Sequence, residues 1–359
     1  EQASTGYDIS PAAEWLLGNF HLIDAQLQEV HGGLPLRYFR ALPVLLDEPL
    51  AGLPRVYSIA WAFVAHTDGA FDEELLVQFL CAYQETRDLN LGEVWALPNT
   101  LRVVLIENLR RLAERVAASK AARQVANLCS DALPSFTVAT LDRLLAMLDA
   151  RGVGLTFLVQ LAQRLQDQQG PADASIHAPY HQWVQYQWVA RQLPTLSIIQ
   201  TQQEADQAAN NLSVSNAVTS LRAIGDADWP SIVARASALM RLMLSSPQFE
   251  AEHTATRDQT LHGIEKLARR TGRSENDVAQ ALIALLQTAA DPHTGRVRGA
   301  QHWIAGAGHA ELFSALGIAS SGVSRWADRL RGQSRRLWLV YLGAVLMGTL
   351  LVVLLSVMT

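Results

Sequence analysis

Lysine is nearly absent from this 359-residue chain: Lys120 and Lys266 stand against abundant arginine. That imbalance reads as the codon bias of a GC-rich genome and carries no functional signal. Cysteine is equally rare. Cys81 and Cys129 are too few for a disulfide framework and read as reduced core thiols in a cytosolic compartment. With 22 glycines and 13 prolines, collagen-like and low-complexity chains are excluded. A basic excess is missing too, and a net charge of -5 argues against a dedicated nucleic-acid binder. Alternating runs of β-branched and aromatic residues are lacking, so no strand is expected. Nor is there a P-loop, a GxGxxG, a GxSxG or a Cys-rich metal pattern.

What is present is apolar and helical. Hydrophobic residues make up 49% and charged residues 18%, too apolar for disorder and poor in charge for a wholly soluble protein. The length implies two or three domains. Leu101, Val104, Leu105, Leu109, Leu112 and Val116 recur at helical spacing, with Glu107 and Arg111 as an i,i+4 pair on the wet side. Ser135 or Thr137 is expected to cap a run that places Leu141, Leu144, Leu145 and Leu148 on one face. Ser274 with Asp277 has the form of a capping box, and Gly272 suits a helix C-cap. The fold class expected is all-α, a multi-helix cytosolic domain followed by one transmembrane helix. The Gln-rich tract Gln163–Gly170 is the best linker. It divides an N-terminal helical subdomain (1–168) from a second one (169–320), ahead of a basic juxtamembrane segment (321–336) and a span (337–359).

That span rests on one stretch. Leu337–Thr359 has no charged residue and reaches roughly 34 Å as a helix, enough for a hydrocarbon core of about 30 Å. Trp338 and Tyr341 sit at its entry, where amphipathic rings favour the interface. Arg325, Arg329, Arg331, Arg335 and Arg336 precede it, which places residues 1–336 on the cytoplasmic side of a bacterial inner membrane. The first residues hold no apolar signal core. The missing Met and the abrupt apolar end make a segment of a longer membrane protein the expectation.

Several patterns imitate sites. His177 and His181 have the spacing of two metal ligands on a helix, but Pro179 lies between them, and a solvated helix start is the stronger reading. Asp226 and Asp228 have the DxD form of nucleotide-sugar transferases, yet Trp229-Pro230 follows, and a capping Asp explains them better. Arg325-Trp326 matches the tail of a QxxRW signature whose Gln position holds Gly322. Ile264–Leu286 resembles a helix-turn-helix with Lys266, Arg269, Arg270 and Arg273 near the turn, an arrangement common in any bundle. Trp15, Trp61, Trp95, Trp183 and Trp188 could stack on sugars, although large aromatics on apolar helix faces are more often core.

A set of blocks nevertheless resembles one family. It comprises Ala13–Leu17 (with Trp15), Asn19–Ile23 (with Phe20 and His21), Leu34-Pro35 with Arg37–Arg40 and Leu42-Pro43, and Gly52–Tyr57 (with Pro54, Arg55 and Tyr57). Asp72–Leu75 follows, then Glu93–Pro98 (with Trp95 and Pro98), Leu101-Arg102 and Glu107–Ala113 (with Asn108 and Arg110). Ser213–Asn216, Thr219–Arg222 (with Ser220), Asp228-Trp229, Ala255–Asp258 (with Arg257) and Ile264–Arg270 complete it. Together they are similar to the N-terminal region of bacterial cyclic β-1,2-glucan synthases, over about residues 13–290.

The resemblance implies a very large inner-membrane glucosyltransferase, family 84-like, that takes glucose from UDP-glucose and closes a β-1,2-glucan into a ring. It implies a divalent metal with UDP-glucose in a downstream transferase domain. For this segment it implies no cofactor and no catalytic residue. Expected partners are the inner membrane, the downstream transferase domain of the same chain and, as a candidate, the glucan, but not nucleic acid. The blocks are expected to be mostly packing signatures. Trp95–Pro98 would end one segment so that Thr100 caps the next helix, Pro54 would start another, and Glu93, Arg102, Glu107 and Arg110 would form buried bridges between helices. The expected role is a scaffold or regulatory module. The alternatives are a tail-anchored helical interaction protein or a membrane-tethered helix-turn-helix regulator.

Overall fold

The computed structural model describes residues 11–47, 49–167, 174–288 and 299–318. It is all-helical. From the N-terminus run α1 (Pro11–Gly18), α2 (Phe20–Gly33), α3 (Leu36–Phe39), α4 (Arg55–His66), α5 (Glu73–Gln84) and α6 (Leu91–Asp131). Next come α7 (Val138–Asp149), α8 (Gly154–Asp167), α9 (Ala174–Ala190) and α10 (Leu196–Asp226). After them lie α11 (Trp229–Ala236), α12 (Ala238–Leu244), α13 (Pro247–Glu250), α14 (Thr254–Thr271), α15 (Glu275–Gln287), α16 (Gln301–Ile304) and α17 (His309–Ala315). Among the described residues the β pairing is a single isolated bridge, Val44 with Pro54. No described helix is long and apolar enough to cross a membrane. The run 337–359, with Trp338 and Tyr341, and the basic residues Arg331, Arg335 and Arg336 lie outside the described residues.

The chain divides into two compact units, one of residues 1–72 and 96–227 and one of 73–95 and 228–359. This differs from the division expected at 168/169. The reason is that helices on both sides of that tract share one core in the first unit. Ala126 and Cys129 of α6, Leu141 and Leu145 of α7, Phe157 and Leu161 of α8 and Trp183 of α9 are buried together. Polar ties follow the same grouping. The Trp183 indole donates to Asp142 at 2.7 Å, and Arg191 pairs with Asp149 through two bonds. That pairing lowers the Asp149 carboxyl below its ordinary range. Burial pushes the Cys129 thiol up, so it stays protonated and inert.

Elsewhere in the first unit, α4 buries Val56, Ile59, Ala60, Phe63 and Val64, the i,i+3,i+4,i+7 pattern of one helix face. The middle of α6 buries Leu101, Val104, Leu105, Leu109 and Leu112, as their spacing predicts. The helix is longer than expected, however. It starts at Leu91 and passes through Pro98, and Thr100 does not cap it but donates back to the Ala96 carbonyl at 2.7 Å. Such a back-bond is the mid-helix habit of Thr. Helix α4 does start where expected, at Arg55 after Pro54.

In the second unit, Leu239, Met243, Phe249, Ile264, Leu267, Val278, Leu282, Trp303 and Leu312 form the core. Caps set the helix limits. Asp228 accepts from Ser231 N, Ser274 and Asp277 form a complete capping box, and Gly272 takes φ +68° at the end of α14, where a Cβ would be strained. The buried Gln84 of α5 donates to the Ala236 carbonyl at 2.7 Å and accepts from Ala238 N at 3.3 Å, tying the α11–α12 junction. Cys81 is only half-buried here, within 2.9 Å of an Arg241 guanidinium nitrogen, so it is not the core thiol expected.

The start of α6 also lies in this unit and is held by two carboxylates. Glu93 accepts from Asn90 N at 2.9 Å, and the buried Glu275 accepts from Leu91 N at 2.8 Å. Burial raises the Glu275 carboxyl above its usual range. Folding therefore favours its protonated form. That contribution is full below the ordinary Glu pKa of 4.5 and is lost as pH rises through the raised value. We expect Glu275→Gln, which keeps an acceptor for Leu91, to be at least as stable as the native chain at pH 7 in urea unfolding. Glu275→Ala should lose about 1–2 kcal/mol. Equal losses in both variants would show that the charge itself is required.

Candidate functional site

The first unit contains an open cleft of about 310 Å³ between α4 and α6. This falls at the lower end of the size range of small-ligand pockets. Two helical rows build it. Tyr57 and Trp61 follow each other at i,i+4 on α4, and Glu107, Asn108, Arg111 and Arg115 line it from α6. Val64, Val104 and Leu112, all buried, give it an apolar floor. Trp61 is 49% exposed, so its indole faces an open space and is not spent on the core. Asp68 closes one edge.

The edge is set by a tight turn. Asp68 (φ +48°) and Gly69 (φ +76°) are both left-handed, an arrangement that glycine takes without strain. Gly69 lies beside Leu105 of α6 and the Ala217 backbone of α10. Helix α10 satisfies this turn. Asn216 donates to the Asp68 carbonyl at 3.1 Å, and Ser213 to the Asp68 carboxylate at 2.8 Å. The buried Ser220 donates to the Gly69 carbonyl at 2.7 Å and accepts from Phe71 N at 2.8 Å. Further along α10, Arg222 donates to Asn19 at 2.5 Å.

The cleft's charges are balanced. Glu107 accepts from Arg110 at 2.7 Å and from Arg111 at 2.8 Å, and these bonds hold its carboxyl down to about 2. Among the described residues, the Tyr57 hydroxyl, the Trp61 indole N–H, the Asn108 amide and the Arg115 guanidinium have no hydrogen-bond or ion-pair partner. The cleft thus offers an aromatic face with unspent donors and acceptors around it.

The structure sorts the sequence candidates. Tyr57, Glu107 and Asn108 meet in the cleft, and Asn216 and Ser220 shape its edge. Arg110 is not in a buried bridge between helices: it pairs with Glu107 and Glu114 on the exposed side of its own helix. Arg102 does bridge, donating to Gln26 of α2 at 2.6 Å, and burial lowers its pKa. Pro54 and Arg55 are buried at the start of α4. Trp15, Phe20 and His21 are exposed on α1 and α2. Trp95 is exposed in the second unit, where Trp229 opens α11 and Arg257 donates to the Glu250 and Glu252 carbonyls beside the exposed Asp258. Of the other sugar-stacking candidates, Trp183 is core and Trp188 bonds the Pro194 carbonyl.

His177 and His181 lie on α9, which continues through Pro179. No group of three or more His, Cys, Asp or Glu among the described residues is placed to hold a metal ion. Helices α14 and α15 do meet at Gly272, but Glu275 and Asp277 occupy the first turn of the second helix, a poor approach to phosphates. Asp68 and Arg115 were missed as site residues. The register of Arg115, one turn beyond Arg111, was the available signal.

The fold and cleft define an all-helical region with an open aromatic and polar cleft, without a recognisable catalytic constellation among the described residues. No protein-family model matches the chain. It is 34% identical over 285 residues to the cyclic β-(1,2)-glucan synthase NdvB of Rhizobium meliloti (strain 1021). The match takes in 79% of this chain and 10% of that relative. Most of the chain is therefore an NdvB-like region, and it spans about a tenth of the relative's length.

Removing the Ser220 hydroxyl takes its hydrogen bond from the buried Gly69 carbonyl and breaks its bond to Phe71 N. Ser220→Ala should lower stability by about 1–3 kcal/mol in urea unfolding. Glu107→Gln should leave the midpoint at pH 7 almost unchanged, because solvent screens its exposed pairs. The depressed Glu107 carboxyl contributes above pH 4.5 and loses that contribution as pH falls toward about 2.

Proposed function

We propose that this region is a helical scaffold or regulatory module of a cyclic β-1,2-glucan synthase. The carrying observation is the 34% identity to NdvB over 79% of the chain. The whole protein would be a family-84-like glucosyltransferase that polymerises glucose from UDP-glucose and closes the ring. Its transferase domain, downstream of this region, would use a divalent metal with UDP-glucose. No step of that chemistry is assigned to residues of this region.

The contacts of the family-like residues support a shape-keeping role. Asn216, Ser220 and Arg222 hold α10 against the turn after α4 and against Asn19, and Arg257 fixes the loop before α14. Elements held in place in this way suit packing on a transferase domain of the same chain. The uncharged run 337–359 and the arginines before it support an anchor in the bacterial inner membrane, with residues 1–336 cytoplasmic.

The test is glucose incorporation from labelled UDP-glucose by membranes holding the full-length protein, beside a form lacking residues 11–318, with insertion and amount matched. The full-length protein should make cyclic β-1,2-glucan, and the deletion should lose yield or control of ring size. Undiminished rate and size in the deletion would remove the scaffold role. No glucan from the full-length protein would remove the synthase reading.

A further inference from the structure

We propose that the cleft between α4 and α6 binds a short, neutral, β-1,2-linked gluco-oligosaccharide. The assignment to glucan rests on the proposed function; the assignment to a saccharide rests on the cleft. A pyranose ring has a face of C–H groups and a rim of hydroxyls. It binds where an exposed aromatic plane is ringed by groups that donate and accept. Trp61 supplies that plane, half exposed over a floor of Val64, Val104 and Leu112. An indole used only for packing would be buried, as Trp183 and Trp303 are.

The rim is equally specific. The Trp61 N–H and the Arg115 guanidinium can only donate, while the Tyr57 hydroxyl and the Asn108 amide can do both. None of these has a partner within the described residues. Asp68 adds an acceptor, since Ser213 occupies only one of its carboxylate oxygens. Ligand hydroxyls, which also donate and accept, are complementary to such a set.

Charge decides between a neutral sugar and a nucleotide sugar. The lining holds two carboxylates, Asp68 and Glu107, and two guanidiniums, Arg111 and Arg115, so no cationic excess remains for a diphosphate. A donor substrate such as UDP-glucose is therefore a poor occupant, and uncharged glucan a good one. In a full-length synthase the cleft would hold a stretch of chain away from the reacting end.

The test is calorimetric titration of the full chain, free of sugar-headed detergent, with short linear β-1,2-gluco-oligosaccharides. The β-1,3- and β-1,4-linked oligomers of equal length and UDP-glucose serve as comparisons. The β-1,2 oligomer should bind best, and Trp61→Ala should weaken it about tenfold or more. Asn108→Ala should weaken it about threefold or more. Trp61 and Asn108 lie outside the buried core, and an unchanged unfolding midpoint confirms that the variants fold.

The inference is overturned if no oligosaccharide binds, if UDP-glucose or another linkage binds in preference, or if both variants bind like the native chain. Glucan synthesis by the full-length protein is measured alongside. Synthesis without oligosaccharide binding removes the cleft assignment and leaves the proposed function. Binding through Trp61 without synthesis does the reverse.

Discussion

The first unit depends on one turn, built around the buried Gly69. After α4 the chain reverses through Asp68 and Gly69, and Gly69 is held against Leu105 and Ala217. Backbone groups in such a place must find partners or cost about as much as a lost hydrogen bond. Asn216 and Ser220 provide those partners, and in doing so they fix the rotation of α10. A slip of one residue would turn both side chains by about 100° away from the turn. The same rotation sends Val214, Ala217, Val218 and Leu221 into the core and brings Arg222 to Asn19. One polar requirement thus sets an apolar face, a tie to the N-terminal helices and the edge of the cleft.

Local signals were readable from sequence, and contacts across long separations were not. The capping box at Ser274, the cap at Asp228 and the left-handed Gly272 each involve neighbours within a few positions. The start of α6 was misplaced because Pro98 looks like a boundary, while the group that caps the helix comes from Glu275, far along the chain. Apolar spacing told which faces of α6 and α7 are buried but not that α8 and α9 cover them, so the polar tract between α8 and α9 looked like a border. Glu107 and Arg110 were expected to reach another helix. At i,i+3 on one helix they satisfy each other first.

The cleft was half legible. Tyr57, Trp61 and Asn108 all stood among the candidates, but as separate ones, and nothing in their spacing says that α4 and α6 turn these faces toward a shared space. Asp68 enters only through the turn that α10 stabilises. Among the other family-like positions, Asn216, Ser220 and Arg257 hold backbone groups and Pro54 and Trp229 stand at helix starts, whereas Trp15, Phe20, His21 and Trp95 are exposed. Tyr57, Glu107 and Asn108 are the family-like members that face an open volume.

The interleaving of the two units has a consequence for how the protein is made. The Phe71–Ser220 contact spans 149 residues and the Leu91–Glu275 contact spans 184. Domains form in the order their sequence leaves the ribosome. The first unit has all its parts once Ala227 is out, but residues 73–95 of the second were made long before and must wait for Asp228 onward. During that interval Leu76, Leu80 and Val94, buried in the finished fold, have no completed core. The segment that most needs protection in the cell is therefore an early one, and a chain stopped near residue 230 would leave it permanently exposed.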